Sequence, residues 1–359
     1  MNIKRFFQGQ RGTGANIDMR SKIEKQKDYE FKEIVASVNP VSWVEKPQAE
    51  WRKFPIFNQN GSGSCVAQTL AKLLGVLYWL KNNTYIHFSA THIYQRRVNK
   101  PQSGMGGVDA FNIACTGVTL EELTPSQDMT DIQMDAVTIA DYKQKVGEIF
   151  KIGNFVVAPV NDIETIASVI QTTQKAVMVW FYFKIDEWTS QPVVKYPDLN
   201  MLATDAARHS ISAVDFTLVG GKKALICDDS WGTAYGAAGQ RVIDEDFFKE
   251  RNFFAAYPMN FAFEAGTVTK PKYTFSVELV AGSATNPVQD VKALQDILKF
   301  EGFFPANTDS TGYFGSVTAK GVLAFQKKYQ VASDAELDQL QGRIVGLKTR
   351  NKLNELYGQ

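Results

Sequence analysis

Cys65 stands where a thiol could do chemistry. The segment Phe57-Asn-Gln-Asn-Gly-Ser-Gly-Ser-Cys65-Val-Ala sets it behind a Gly/Ser loop, at the head of a run with apolar residues at 66, 70, 73, 74, 77 and 80. That spacing predicts a helix with one buried face. At its first turn, unpaired backbone N–H groups and the macrodipole favour an anion, and so a thiolate, the form of cysteine that attacks an amide. Position alone suits a buried, incidental cysteine equally well. A base is also needed, and the chain has only His87, His92 and His209. Of these, only His209 opens a strand-like run, His-Ser-Ile-Ser-Ala-Val-Asp-Phe. About twenty residues later come Asp228-Asp-Ser-Trp-Gly and Gly239-Gln-Arg-Val-Ile. His87 and His92 read as packing or surface residues.

The elements that must position these groups fall into blocks. Residues 1–45 look like an N-terminal extension or short propeptide, with seven Lys/Arg against two Asp/Glu in positions 1–27. From Trp51 the chain turns globular and helical, and between about 154 and 260 it changes to short β-branched and aromatic runs separated by turns such as Gly220-Gly221. A larger domain over 46–265, a linker over 266–272 and a last domain over 273–359 follow from these changes of texture. In the last block Val291, Leu294 and Leu298 share a helical stripe ending at Gly302. Two more helical runs follow, predicting a three-helix bundle near the lower size limit for independent folding. Cys115 and Cys227 read as small buried hydrophobes.

Three blocks in this order, Asn58-Gln59 with Gly63-Ser64-Cys65, then His209, then Asp229-Ser-Trp231-Gly, resemble the active-site segments of papain-like cysteine peptidases. Glu50-Trp51-Arg52 is similar to that family's mature N-terminus. The resemblance implies an α+β, two-lobed fold with a helical lobe and a β-barrel-like lobe. It also implies that Cys65 is the nucleophile, His209 its base, Gln59 an oxyanion donor and Asp229 the group that orients the imidazole. Trp231 would shield that hydrogen bond from water, and Gly63, Gly106 and Gly107 would lie along the substrate. Two departures matter. Ser62 occupies the place of a frequent family cysteine, so the usual disulfide cannot form. Asp229 replaces the family's asparagine, which adds a charge that should favour the imidazolium. Asp228 competes for that role, but the register of Ser230-Trp231-Gly232 favours 229.

The C-terminal blocks Asp-Val-x-x-Leu-Gln, Gly-x-Phe-Gly-x-x-Thr and Phe-Gln resemble a peptidoglycan-binding module, with an insert at Ala332–Gln341 as its departure. The partners implied are a peptide or protein substrate and, through residues 273–359, peptidoglycan. No metal or organic cofactor is implied. Lys+Arg 39 against Asp+Glu 38 gives no signature of a nucleic-acid binder. No apolar run suggests a signal peptide or a membrane span. Three scattered cysteines suit a reducing compartment, so synthesis in the cytoplasm is expected, with action at a bacterial wall or in a virion. The expected function is a thiol peptidase directed to cell wall, as in a phage or bacterial lysin. The alternatives are a protein-processing peptidase, an acyl transferase, or a non-catalytic wall or virion protein that kept the fold.

Overall fold

A computed structural model describes residues 14–21, 25, 29–30, 40–189, 193–194, 200, 207–262, 270–301, 303–304 and 310–358. Most of the expected linker, and most of the expected extension before residue 40, lie outside the described residues. The chain divides into two compact units, one holding 1–25 and 38–258, the other 26–37 and 259–359.

In the first unit a helical half precedes a β half, the α+β order expected of the sequence. The helices are α1 (Cys65–Asn82), α2 (Ala90–Tyr94), α3 (Gly107–Thr116), α4 (Asp131–Ala136) and α5 (Asp141–Ile149). Next come β1 (Phe155–Val157), α6 (Ile163–Thr173), β2 (Val177–Phe183), α7 (Ile185–Thr189) and β3 (Val193–Val194). The unit closes with β4 (Ala207–Val219), β5 (Lys222–Asp228), β6 (Gln240–Asp244), α8 (Glu245–Arg251) and β7 (Asn252–Pro258). The strands lie in the order β1-β7-β2-β4-β5-β6-β3. Neighbours are antiparallel except β3 and β6, which run parallel.

Helix α1 is buried along its first thirteen residues, from Cys65 to Leu77, far more than one amphipathic face. It is the central helix of the unit, and even Lys72, the charged residue of that buried stretch, is neutralised inside. Lys72 donates to Asp228 Oδ2 at 3.0 Å and to the carbonyl of Pro55. Gly75 is required because a Cβ there would lie 2.5 Å from the Tyr85 ring. The helix ends where Asn83 turns left-handed, at φ 51°. Its register against β4 is fixed by a hydrogen bond from Ser210 Oγ to Thr69 Oγ1 at 2.9 Å. Thr69 lies one turn beyond Cys65 on the same helix face, and Ser210 follows His209, so one contact sets the cysteine beside the histidine.

The second unit contains β8 (Leu279–Val280), α9 (Val288–Phe300), α10 (Ser316–Lys328), α11 (Asp334–Leu340), β9 (Ile344–Val345) and α12 (Leu347–Tyr357). Strands β8 and β9 pair antiparallel. Val291, Leu294, Leu298, Val322, Phe325 and Leu353 form the core of the three long helices. The insert 332–341 adds a short fourth helix, α11, capped by Ser333 Oγ accepting from Glu336 N. The motif glutamines are structural. Gln295 Nε2 donates to Tyr313 O at 2.9 Å and Thr318 Oγ1 at 3.1 Å, and Gln326 Nε2 donates to Thr349 Oγ1 at 2.9 Å. Among the described residues no helix is long and apolar enough to cross a membrane.

Candidate active site

Four segments meet at Cys65. The first is the loop before α1. Gln59 is buried and its amide is fixed at both ends: Nε2 donates to Ser62 O at 2.6 Å, and Oε1 accepts from Ser230 Oγ at 2.5 Å. Its backbone N–H donates to Ser230 O at 2.9 Å, which sews this loop to the segment after β5. Gly63 is tightly enclosed, since a Cβ there would lie 2.1 Å from Ser103 Oγ and 2.7 Å from Gly104 N. Asp131 clasps the same place, its Oδ1 accepting from Gly63 N at 2.9 Å and its Oδ2 from Ser103 Oγ at 3.0 Å. Asp131 was not anticipated from sequence. Replacing it by alanine should lower the melting temperature by roughly 3–5 °C, the loss of about 1–2 kcal/mol from two charge-assisted hydrogen bonds. Scanning calorimetry checks this, and an unchanged melting temperature would show that the clasp holds nothing.

The second segment is β4, which carries His209 opposite Phe181 of β2. The imidazole is wholly buried among rings, with Trp231 at 5.0 Å, Trp188 at 6.0 Å and Phe183 at 6.4 Å between centroids. Its Nε2 lies 2.7 Å from Asp229 Oδ1. Nδ1 is buried with no hydrogen-bond partner of ordinary geometry, and the neighbour acting on that side is the Cys65 sulfur. Burial opposes the imidazolium, but the Asp229 carboxylate and the Cys65 sulfur outweigh it and raise His209 to about 9.

The third segment leaves the end of β5. Asp228 and Asp229, adjacent in sequence, part company here. Asp228 turns to Lys72 and to Gln240 Nε2, which donates to it at 2.8 Å. Asp229 turns to His209. Burial alone would raise the Asp229 carboxyl, yet Arg241 and His209 hold it well below the usual carboxylate range. Two of its partners escaped the sequence reading. Arg241 Nε donates to Oδ2 at 2.5 Å from β6, and Trp188 Nε1 donates to the same oxygen at 3.2 Å from α7. The signal for Arg241 was present, since an arginine inside the apolar run Gln-Arg-Val-Ile needs a buried carboxylate to pair with.

The fourth segment is the N-terminal arm. Gly14 N donates to Cys65 Sγ at 3.2 Å, and Cys65 is fully buried. Met105 N donates to Gly14 O at 2.8 Å and Asn16 N to Met105 O at 3.0 Å, which makes a parallel bridge between Ala15 and Met105. The backbone edge that meets another strand is therefore that of Met105. Gly106 caps α3, and Gly107 faces the interior, where a Cβ would lie 2.6 Å from the Phe254 ring. The structure thus brings Gln59, Gly63, Cys65, His209, Asp229 and Trp231 together, while Gly106 and Gly107 follow Met105 at the start of α3. Cys227 is fully buried, and burial raises its thiol; the partly buried Cys115 is raised to about 11 by the same cause.

The sequence model described as papain family cysteine protease matches residues 39–249, and that described as a putative peptidoglycan binding domain matches 287–341. No curated protein sequence matches. Among solved structures, xylellain, a cysteine protease from Xylella fastidiosa, is similar with a TM-score of 0.56 at 16% identity, over 70% of this chain and 97% of that one. The ragweed pollen cysteine protease Amb a 11, in its proform, is similar with a TM-score of 0.52 at 16% identity, over 72% of this chain and 77% of that one.

Proposed function

The chain belongs to the papain family of cysteine proteases, and from that premise we propose that Cys65 and His209 hydrolyse amide bonds of bacterial cell-wall peptides through an acyl-enzyme. The observation that carries the chemistry is the imidazole held by Asp229 through Nε2, with its unpartnered Nδ1 on the Cys65 side. Nδ1 takes the thiol proton, and the thiolate attacks the carbonyl carbon. The C–N bond then breaks as the imidazolium returns the proton to the leaving amine. Water, deprotonated by the same nitrogen, cleaves the thioester and restores the thiol. Gln59, whose side-chain amide is held between Ser62 O and Ser230 Oγ, supplies the N–H for the oxyanion. Trp231 and Trp188 cover the imidazole and keep water from the His209–Asp229 bond. Substrate backbone pairs along Met105, with Gly63, Gly106 and Gly107 flanking it. The peptidoglycan-binding domain supports a wall substrate.

Residues 14–16 act in this reading as an inhibitory segment, so residues 1–45 behave as a propeptide. The arm offers Cys65 the Gly14 N–H, and so covers the sulfur.

The test compares peptide release from purified peptidoglycan sacculi and from an unfolded protein under reducing conditions. The wild type, Cys65→Ala and Gly14→Leu, which removes the arm's fit, are assayed side by side. Cys65-dependent release from sacculi is the expected result. Release from protein alone would replace the wall assignment with protein processing. No Cys65-dependent release from either, even with Gly14→Leu, would sink the peptidase reading in favour of a binding protein.

A further inference from the structure

We propose that Arg241 is a positioning residue of this active site: its buried ion pair with Asp229 fixes the carboxylate that orients His209 and balances the charge the imidazole faces. The proposal rests on the pairing of His209 with Cys65 given above. Arg241 lies on β6 opposite Cys227 of β5, and Asp229 is two residues beyond Cys227, so arginine and aspartate fall on the same side of the ladder. The guanidinium side chain has no exposure. Nε donates to Asp229 Oδ2, Nη1 donates to the carbonyl of Trp188, and the cation lies 4.9 Å from the Trp188 ring centroid and 5.5 Å from that of Trp231.

The four contacts of Asp229 explain why a carboxylate stands there. Oδ1 meets His209 Nε2 and accepts from Ser230 N at 2.7 Å, while Oδ2 meets Trp188 Nε1 and Arg241 Nε. Both neighbours of Oδ2 are obligate N–H donors. An asparagine could present its oxygen to His209 only by turning its NH2 onto those two donors. The aspartate at 229 and the arginine at 241 are therefore matched to one another. Alone beside the imidazole, the carboxylate would hold the imidazolium too tightly to give its proton to a leaving amine; Arg241 draws part of that charge to Oδ2. Among the described residues, the other groups facing His209 are the Cys65 sulfur from α1 and the rings of Phe183, Trp188 and Trp231. Lys72 and Asp228 nearby neutralise one another.

The test is an NMR titration of the histidines in the intact, histidine-labelled chain, with His209 assigned by its absence from His209→Gln. This reading needs no substrate and no release of the arm, so it stands apart from the hydrolytic proposal. Arg241→Met should raise the His209 midpoint by about one pH unit, because removing a cation leaves the imidazole facing more negative charge. Asp229→Asn, which leaves the arginine unpaired beside the ring, should lower it. Arg241→Lys, which keeps the charge and loses the fork, should stay within a few tenths of a unit of the wild type. If Arg241→Met does not fold, Arg241→Gln, which loses the charge and keeps an N–H donor for Asp229, takes its place and should raise the midpoint in the same direction. A midpoint that Asp229→Asn leaves unmoved, or that Arg241→Lys moves as far as Arg241→Met does, would overturn the proposal. Thermal destabilisation with unchanged midpoints would show Arg241 to be a packing residue and would likewise overturn it.

Discussion

Replacing His209 by alanine is expected to lower kcat/KM for a peptide substrate by about 10^4-fold, the scale of losing the base that activates the thiol and the acid that protonates the leaving amine. No other histidine can stand in. His87 is stacked at 5.6 Å on Phe57, and His92 is held to about 3 by burial and by Arg96, so it is neutral at working pH. Circular dichroism should show the fold retained, because Asp229 keeps Arg241, Trp188 and Ser230 as partners when the imidazole is gone. A variant within tenfold of the wild type would remove His209 from the chemistry. The same residue sets a pH limit. Its folded value, about 9, lies above its ordinary 6.5, so the stability it contributes is complete below about 6.5 and lost as pH rises through 9. Activity should fall over that same alkaline limb, since the imidazolium proton is then missing for the leaving amine. Asp229, depressed in the fold, contributes above its ordinary 3.8 and loses that contribution only as pH falls below it.

Gly14→Leu should raise the alkylation rate of Cys65 by iodoacetamide about 100-fold. The arm is held across the thiol by three backbone hydrogen bonds, to Cys65 Sγ and on both sides of Met105. At about 1 kcal/mol each these amount to roughly 3 kcal/mol, which corresponds to about two powers of ten in the open population. Leucine cannot be accommodated, because a Cβ at position 14 would lie 1.8 Å from the carbonyl oxygen of Gly63 and 2.9 Å from the Gly104 Cα, both backbone atoms. Mapping the alkylated cysteine by mass spectrometry separates Cys65 from the buried Cys227 and partly buried Cys115 within the same sample. Peptidase activity should rise in parallel. If Cys65 alkylates no faster than in the wild type, the arm is not what covers it.

Sequence alone determined what short stretches of chain can encode. The loop, cysteine and apolar spacing of α1 are contiguous, and so are the strand opened by His209, the Asp-Ser-Trp-Gly block and the stripes of α9 and α10; periodicity and motif suffice to find such features. Register among distant segments was left to the tertiary structure. Asp228 and Asp229 have the same side chain one position apart, and only the alternation of faces at the end of β5 sends one to Lys72 and the other to His209. Arg241, Trp188 and Asp131 reach the site from three further elements, each by a pairing that no local pattern specifies. Met105, ahead of the conspicuous glycines at 106 and 107, pairs with the arm because α3 begins at Gly107 and takes the following backbone into a helix. Gly14 looks like an ordinary flexible residue in a polar extension. Its meaning comes from the carbonyl of Gly63 lying too close for any side chain, a distance set by the fold of a loop some fifty residues away.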